Sequence, residues 1–446
     1  MVSSHQKRRW KVLLPIETSQ RELLYKTILA CFFVDRGYDC YIGSKKEIYN
    51  LFDKIGPFIY FDKGYHKGKS EVIHDRIKDN SGLIVSLDEE GAIDYLDSRT
   101  LLSRYTKRLF INSDLVFLWG RKQRDLLDKN NLLNYNCPVF VSGHPRFELL
   151  KENYHYFYND EVNKIKIKHG NFILVSTNMS LGNNVKGDQF ILDNYRERKK
   201  GYLEDLMKYD TEKMEFIIKF IKNIRSKTDK KIIIRPHPEE NVVYYQKELA
   251  YVNNIEVINK GSSIVWIAAS DLLVHPDCTT GVEALYLNKK AISLLPYFNQ
   301  DLTSFLPVQL SQSFNDIDQA TKEILNNNKS MVDKDKFKKE SLEEYFNINS
   351  NPIHIITEKI DQLINNYNTL NEIELSSLQI YKIKVLDIFA KLYAFFQSKA
   401  VVSFRKQKLG GLDFNEVKKI ILLCQSTNLT SKTKIDRISN GLFKLH

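Results

Sequence analysis

The chain has 446 residues, 43% of them hydrophobic, and carries 66 Lys and Arg against 55 Asp and Glu, a net charge of +11. That is apolar material for two cores of ordinary domain size with an extension. No window approaches the ~20 apolar residues that cross a bilayer, and Cys31, Cys40, Cys137, Cys278 and Cys424 show neither C-x-x-C nor metal-ligand spacing, which excludes a spanning helix and a cysteine-built metal site.

In chain order, the opening apolar run "VLLPI" is too short for a signal peptide. "KVLLPI" (11–16) is followed by polar "ETSQRE", which caps a helix from Glu22 to Arg36 that Gly37 ends. "DCYIGS" reads as a strand, 46–52 as a helix and "PFIYF" as a strand. "GLIVSL" (82–87), "DLVFLWG" (114–120) and "PVFVSG" (138–143) continue the pattern. Strands and helices alternating at this spacing predict a parallel sheet. "KENYHYFYNDEVNKIKIKHG" reads as a linker, after which the pattern restarts. "NFILVSTN" (171–178) is a first strand, 211–228 a long helix, and "KIIIRPHP", "NIEVI", "DLLVHP" and "KAISLLP" are later strands, with "SSIVWIAAS" an intervening helix. Beyond about 310 strands stop and helical periodicity takes over, including 377–397, whose dense apolar positions favour core packing over an interfacial helix. The expected fold class is α/β, with two Rossmann-type domains (1–165 and 166–330) facing a cleft and a helical basic extension (331–446).

Three loops carry chemistry. "IIIRPHPEE" (232–240) ends a buried strand on Arg235 and His237 between prolines, which restrict the turn at a strand end where α/β proteins bind ligands. In "HPDCTTGVEAL", Thr279 and Thr280 precede a helix that begins near Gly281 with Glu283 in its first turn, a pattern suited to a phosphate with Glu283 on a ribose. A plain N-cap with a first-turn acid is the alternative. In "SLDEEG", Asp88, Glu89 and Glu90 follow a buried strand, and their mutual repulsion raises the proton affinity of at least one, as a general base requires. A solvated acidic turn or a metal site would leave the same trace. His144 and His275 also precede prolines and read as turn residues, with a phosphate ligand as the alternative for either.

"LLPIETSQREL", "YIGSK", "SLDEEG", "SGHPRFELL", "RPHPEE" and "TTGVEAL", spread over residues 11–295, together resemble the bacterial surface-carbohydrate biosynthesis family. The acidic pair before glycine, the His-Pro and the hydroxyl pair are more distantly similar to bacterial sialyltransferases and Kdo transferases, GT-B enzymes that use CMP-activated acidic sugars. The resemblance implies that His237, with Arg235 beside it, neutralises the phosphate of the CMP leaving group. Thr279 and Thr280 would hold that phosphate, and Glu89 would act on the acceptor, with Asp88 and Glu90 beside it. It implies neither metal nor other cofactor. Polyol phosphotransferases that use CDP-glycerol or CDP-ribitol, UDP-sugar 2-epimerases and, from another class, a nucleic-acid-binding protein are the alternatives.

From Lys399 to His446 there are ten basic residues against three acidic ones. This tail predicts an anionic partner, either membrane headgroups near a lipid-linked acceptor or nucleic acid, with a solvated helical face as the alternative. The cysteines read as reduced thiols, and the expected location is the cytoplasm or the inner face of the cytoplasmic membrane.

Overall fold

A computed structural model describes residues 10–91, 95–133, 135–194, 200–326, 336–367, 372–394, 408–431 and 433–446. The chain divides into two compact units. Met1–Gly91, Leu102–Leu149 and Ser341–His446 form the first; Ala92–Leu101 and Leu150–Glu340 form the second.

In the first unit, β1 (Lys11–Ile16), β2 (Asp39–Ser44), β3 (Phe58–Asp62), β4 (Leu83–Leu87), β5 (Leu115–Leu118) and β6 (Val139–Val141) pair in parallel in the order β2-β1-β3-β4-β5-β6. β1, β3, β4 and β5 are buried at every position, as parallel strands covered on both faces require, and this is why they read as unbroken apolar runs. Helix α1 (Ser19–Asp35) follows β1. It starts earlier than expected because Glu22 accepts the Glu17 and Thr18 amides, both at 3.1 Å, and caps the first turn. Gly37, at φ +87°, ends it, with its amide on the Val34 carbonyl. Helix α2 (Pro145–Glu148) follows β6.

In the second unit, β7 (Phe172–Ser176), β8 (Lys231–Arg235), β9 (Ile255–Val257), β10 (Leu272–His275), β11 (Ala291–Leu294) and β12 (Gln312–Phe314) form a parallel sheet in the order β12-β11-β10-β7-β8-β9. Numbered within the unit this is 3-2-1-4-5-6, the Rossmann order. α3 (Lys200–Arg225), α4 (Ser263–Ala269) and α5 (Thr280–Tyr286) are the helices used below. Ile217, Phe220, Ile221 and Ile224 of α3 pack on Ile173, Val175, Ile232 and Ile234 of the sheet. The α/β class with two Rossmann-type domains is thus what the structure contains.

Several expectations are corrected. Residues 151–170 are not a linker but a 3-10 turn (Glu152–Phe157) and a helix (Asn159–His169) within the second unit. The long helix begins at Lys200 rather than 211, and a strand, β12, lies beyond 310. The region expected as a separate helical extension returns to the first unit from Ser341 on. It contains α6 (Ser377–Ala394) and α7 (Phe414–Ser426), but ends in a hairpin, β13 (Ile435–Ser439) and β14 (Leu442–Leu445). β14 pairs antiparallel with β2 and extends the first sheet. Finally, α6 does not pack in a core on all sides: Leu378, Tyr381, Leu386, Ile388 and Phe389 are exposed. Its sequence-stretch 395–397 lies outside the described residues.

The five cysteines are free and buried. Among the described residues no helix is long and apolar enough to cross a membrane. Of the basic tail, Lys399, Arg405, Lys406 and Lys432 lie outside the described residues. Lys444 is paired with Asp39 at 2.8 Å and Glu374 at 3.4 Å, and Lys408 lies 3.8 Å from Glu17.

Candidate functional site

The switch point of the second sheet lies between β7 and β10, where the connections leave in opposite directions and the loops at the carboxyl ends part. Three loops meet there. The one after β7 runs through Thr177, Asn178 and Met179; the one after β8 carries Arg235 to Glu240; the one after β10 runs from His275 to Thr280.

Glu240, fully buried, joins the first two. Its Oε1 accepts the Thr177 hydroxyl at 2.8 Å, the Met179 amide at 3.0 Å and the His237 amide at 3.1 Å, and its Oε2 accepts the Tyr245 hydroxyl. Burial pushes this carboxyl up to about 7 against those hydrogen bonds. The third loop is tied in through Asp277, whose Oδ1 accepts Asn178 Nδ2 at 3.0 Å and whose Oδ2 accepts the Ser304 amide at 3.1 Å. Lys213 of α3 bridges Asp277 at 3.2 Å and Asp210 at 2.9 Å. Burial opposes the Lys213 charge, but these two carboxylates outweigh it and hold its pKa above the ordinary lysine range.

His237 is half-buried at the tip of its loop. Its Nδ1 accepts the Glu239 amide at 3.3 Å, which assigns the proton of the neutral ring to Nε2 and makes that nitrogen a donor. Arg235 departs from the expected arrangement. Its guanidinium donates to the Lys260 carbonyl at 2.6 Å and the Gly261 carbonyl at 2.7 Å and lies over Trp266, centroid distance 5.2 Å. Burial lowers it to about 10, with Glu283 opposing. Its fork therefore fastens the 260–261 loop.

Thr279 precedes α5 with helical dihedrals, φ −57° and ψ −18°, and its side chain makes no cap hydrogen bond, so the plain N-cap alternative is not realised. The Thr280 hydroxyl and Asn178 Oδ1 are buried atoms without a hydrogen-bond partner among the described residues. Glu283 accepts the Ser263 hydroxyl of α4 at 2.9 Å. Gly281 is needed for close approach: a Cβ there would enter the His275 imidazole. His275, read from the sequence as a turn residue, is instead the buried last residue of β10. Its Nδ1 accepts the Cys278 amide at 3.3 Å, Nε2 meets the Ser311 hydroxyl at 2.8 Å, and burial lowers it to about 4.

In the first sheet the connections diverge between β1 and β3, and Asp88, Glu89 and Glu90 follow the neighbouring β4. The three carboxylates are separated by cations: Glu89 turns to Lys26, while Asp88 and Glu90 share Arg104. Glu89 points inward, accepts the Tyr25 hydroxyl, and lies 3.2 Å from Lys26 of α1. Lys26 also bonds the Pro15 carbonyl at 2.7 Å and Glu22 at 3.0 Å, and Lys63 closes on Glu22 at 2.6 Å. Asp88 accepts from Arg104 at 2.6 Å; Glu90 pairs with the same guanidinium and lies 3.4 Å from Arg21. Gly64, at φ +132°, lets the backbone pass against Asp88, where a Cβ would meet the Oδ1 at 2.8 Å.

Proton affinities follow from these partners. Burial pushes Glu89 up, but Lys26, His144 and Lys63 outweigh it and hold it well below the carboxylate range. Glu90 is likewise lowered, because Arg104 and Arg21 outweigh its burial. Asp88 alone of the three is raised, by burial first, with Arg104 opposing and Glu90 adding to the rise. One carboxyl is raised, as expected, but desolvation rather than mutual repulsion is the main cause, and it is not Glu89. Asp88 Oδ2 has no hydrogen-bond partner among the described residues. His144 caps α2 by accepting the Arg146 amide on Nδ1 at 3.0 Å, and burial lowers it to about 4. Its Nε2 faces Glu89 Oε2 at 3.6 Å, so this turn residue also stands beside the acidic loop.

Sequence reasoning missed Glu240, Asn178, Asp277 and Lys213. The polar triplet after β7, "STN", was a signal for Asn178; the other three depend on partners far along the chain.

Neither a protein-family model nor a curated relative matches the sequence. Among solved structures, the UDP-GlcNAc 2-epimerase of Methanocaldococcus jannaschii is 13% identical over 79% of this chain and 99% of its own, with a TM-score of 0.47. The wall teichoic acid polymerase TagF is 10% identical over 80% of this chain and 89% of its own, with a TM-score of 0.48. MnaA of S. aureus, solved with UDP, is 14% identical over 81% of this chain and 98% of its own, with a TM-score of 0.46. At this degree of similarity no residue role is carried across from these enzymes.

Proposed function

We propose that the protein is a glycosyltransferase that moves an acidic sugar of the Kdo, sialic, pseudaminic or legionaminic type from a CMP-activated donor to a lipid-linked surface-glycan acceptor. The observation that carries this reading is the convergence of His237, Asn178 and Thr280 at the β7/β10 switch point, on loops held by Glu240 and Asp277. Such a position at the carboxyl ends of a Rossmann-ordered sheet is where nucleotides bind. The cradle is polar but poor in positive charge, since Arg235 is engaged by two backbone carbonyls. A nucleoside monophosphate leaving group suits it better than a diphosphate.

In the proposed step the acceptor oxygen attacks the anomeric carbon and the bond from that carbon to the phosphate oxygen breaks. CMP leaves with the electron pair, and the acceptor proton passes to a carboxylate. His237 Nε2–H and the hydroxyls of Thr279 and Thr280 donate to the departing phosphate, where charge develops. Glu283, beyond Gly281, is assigned to the ribose. Asp88, with its raised proton affinity and its unbonded Oδ2, is the better base, and Glu89 stays ionised to orient Tyr25 and Lys26. No metal takes part in this step.

The test is a thermal-shift and calorimetric panel of CMP, CDP and UDP on the wild type and His237→Ala. CMP at a hundred times its Kd stabilises by ~2.7 kcal/mol, an effect expected to be selective and lost in the variant. CDP well above CMP would replace this reading with polyol-phosphate transfer, and UDP alone with sugar epimerisation. No nucleotide effect, with salt-sensitive retention of nucleic acid instead, would overturn it.

A further inference from the structure

Helix α6 has an inner and an outer side. Ile380 and Ile383 are partly buried against the core of Tyr41, Ile438 and Leu442, and Asp387 accepts the Asn440 amide at 3.2 Å. At ~100° per residue these three positions share one face. The opposite face carries Leu378, Tyr381, Leu386, Ile388 and Phe389, exposed by 62%, 65%, 66%, 58% and 62%. Five large apolar side chains exposed along one side of a helix are a feature of the kind that marks an interaction site.

Charge decides among occupants. The charged residues of the exposed side are Lys382 and Lys384, and among the described residues neither has an acidic partner. A second copy meeting this face about a two-fold axis would bring lysine against lysine. Anionic headgroups would instead attract both, and the chain from Lys399 on adds ten basic residues against three acidic. At the same ~100° per residue Lys382 falls among the exposed apolar side chains and Lys384 at their edge, so this face combines large apolar groups with positive charge, as helices in the plane of a membrane interface do.

We infer that the exposed face of α6 docks the protein on an anionic lipid surface. Leu378, Tyr381, Leu386, Ile388 and Phe389 enter the boundary between headgroups and acyl chains, and Lys382 and Lys384 meet lipid phosphates. The 18-residue helix offers an edge about 27 Å long for this contact. The inference is independent of which nucleotide the second unit takes.

The experiment is flotation of the full chain with phosphatidylcholine vesicles and with vesicles of phosphatidylcholine and roughly one-third phosphatidylglycerol, which add the anionic surface potential. The wild type is expected to float with the anionic vesicles. Leu378→Ser/Leu386→Ser/Phe389→Ser is expected to lose about tenfold or more in partitioning, because the substituted side chains supply the buried apolar area. Lys382→Glu/Lys384→Glu is expected to lose about tenfold on anionic vesicles only. Unchanged melting temperatures exclude unfolding, since all five positions are solvent-facing. Wild-type failure to float, or an apolar triple variant that floats as well as the wild type, would overturn the inference; the latter would assign binding to the basic tail. So would a wild-type dimer that fails to float and that the triple variant makes monomeric, which would identify the face as a contact between copies.

Discussion

Glu240→Gln tests whether one buried carboxyl holds the loops after β7 and β8 together. In the folded protein this group titrates at about 7, raised from 4.5 by burial. An acid raised on folding adds stability that is fully present below pH 4.5 and is lost as pH rises through about 7. At ~1.4 kcal/mol per pH unit the loss comes to about 3 kcal/mol. Glutamine has the shape of the neutral carboxyl, keeps a carbonyl for Thr177, Met179 and His237, and does not titrate. The other groups that face Glu240, namely Tyr245, Asp210 and the His237 loop, remain in both proteins. Urea denaturation from pH 5 to pH 8 is expected to show the variant gaining about 2–3 kcal/mol on the wild type across that interval, with most of the gain accrued by pH 7. Amide exchange at Met179 and His237 reports the same change locally. If the two stability profiles run parallel across the interval, Glu240 does not titrate as burial dictates and the reasoning fails. Glu240→Ala, which strips four donors of their acceptor, is expected to destabilise at every pH and to abolish nucleotide stabilisation.

In steady-state assays with a CMP-sugar donor, Asp88→Asn is expected to lower kcat by ~10²–10⁴ while leaving the CMP-induced shift in Tm intact. Glu89→Ala, by contrast, should destabilise the fold by ~3 kcal/mol, because Lys26 loses one of its two buried carboxylates and the Tyr25 hydroxyl loses its acceptor; the reverse pattern would return the base to Glu89. Lys213→Met leaves Asp210 and Asp277 buried without their cation and is expected to cost ~3–5 kcal/mol in denaturant melts, partly restored by adding Asp277→Asn. Gly281→Ala forces a methyl group into His275 and is expected to cost ~1–3 kcal/mol, less in a His275→Ala background. Transfer activity should survive excess EDTA, and loss of turnover restored by one divalent cation would disprove the metal-free step.

The alternation of apolar runs and capped helices was enough to predict two α/β units, because parallel strands buried on both faces are predominantly apolar, as β1, β4, β7 and β8 are. The strand-end loops were also legible, because prolines, glycines and clustered polar residues mark where such strands stop. Short edge strands escaped detection: β12, "QSF", is half-exposed and has no apolar run, and β14 finds its partner β2 nearly the whole chain away. Strand order, and hence the position of each switch point, exists only once the sheets assemble. Proton affinities at the site were equally out of reach of the sequence. Asp88, Glu89 and Glu90 are adjacent in the chain, yet Arg104, Lys26 and Arg21 reach them from other elements and separate their charges. Apolar density revealed that α6 is a helix with much to bury, but only packing showed which side the sheet covers, because periodicity records where apolar residues lie and not what meets them.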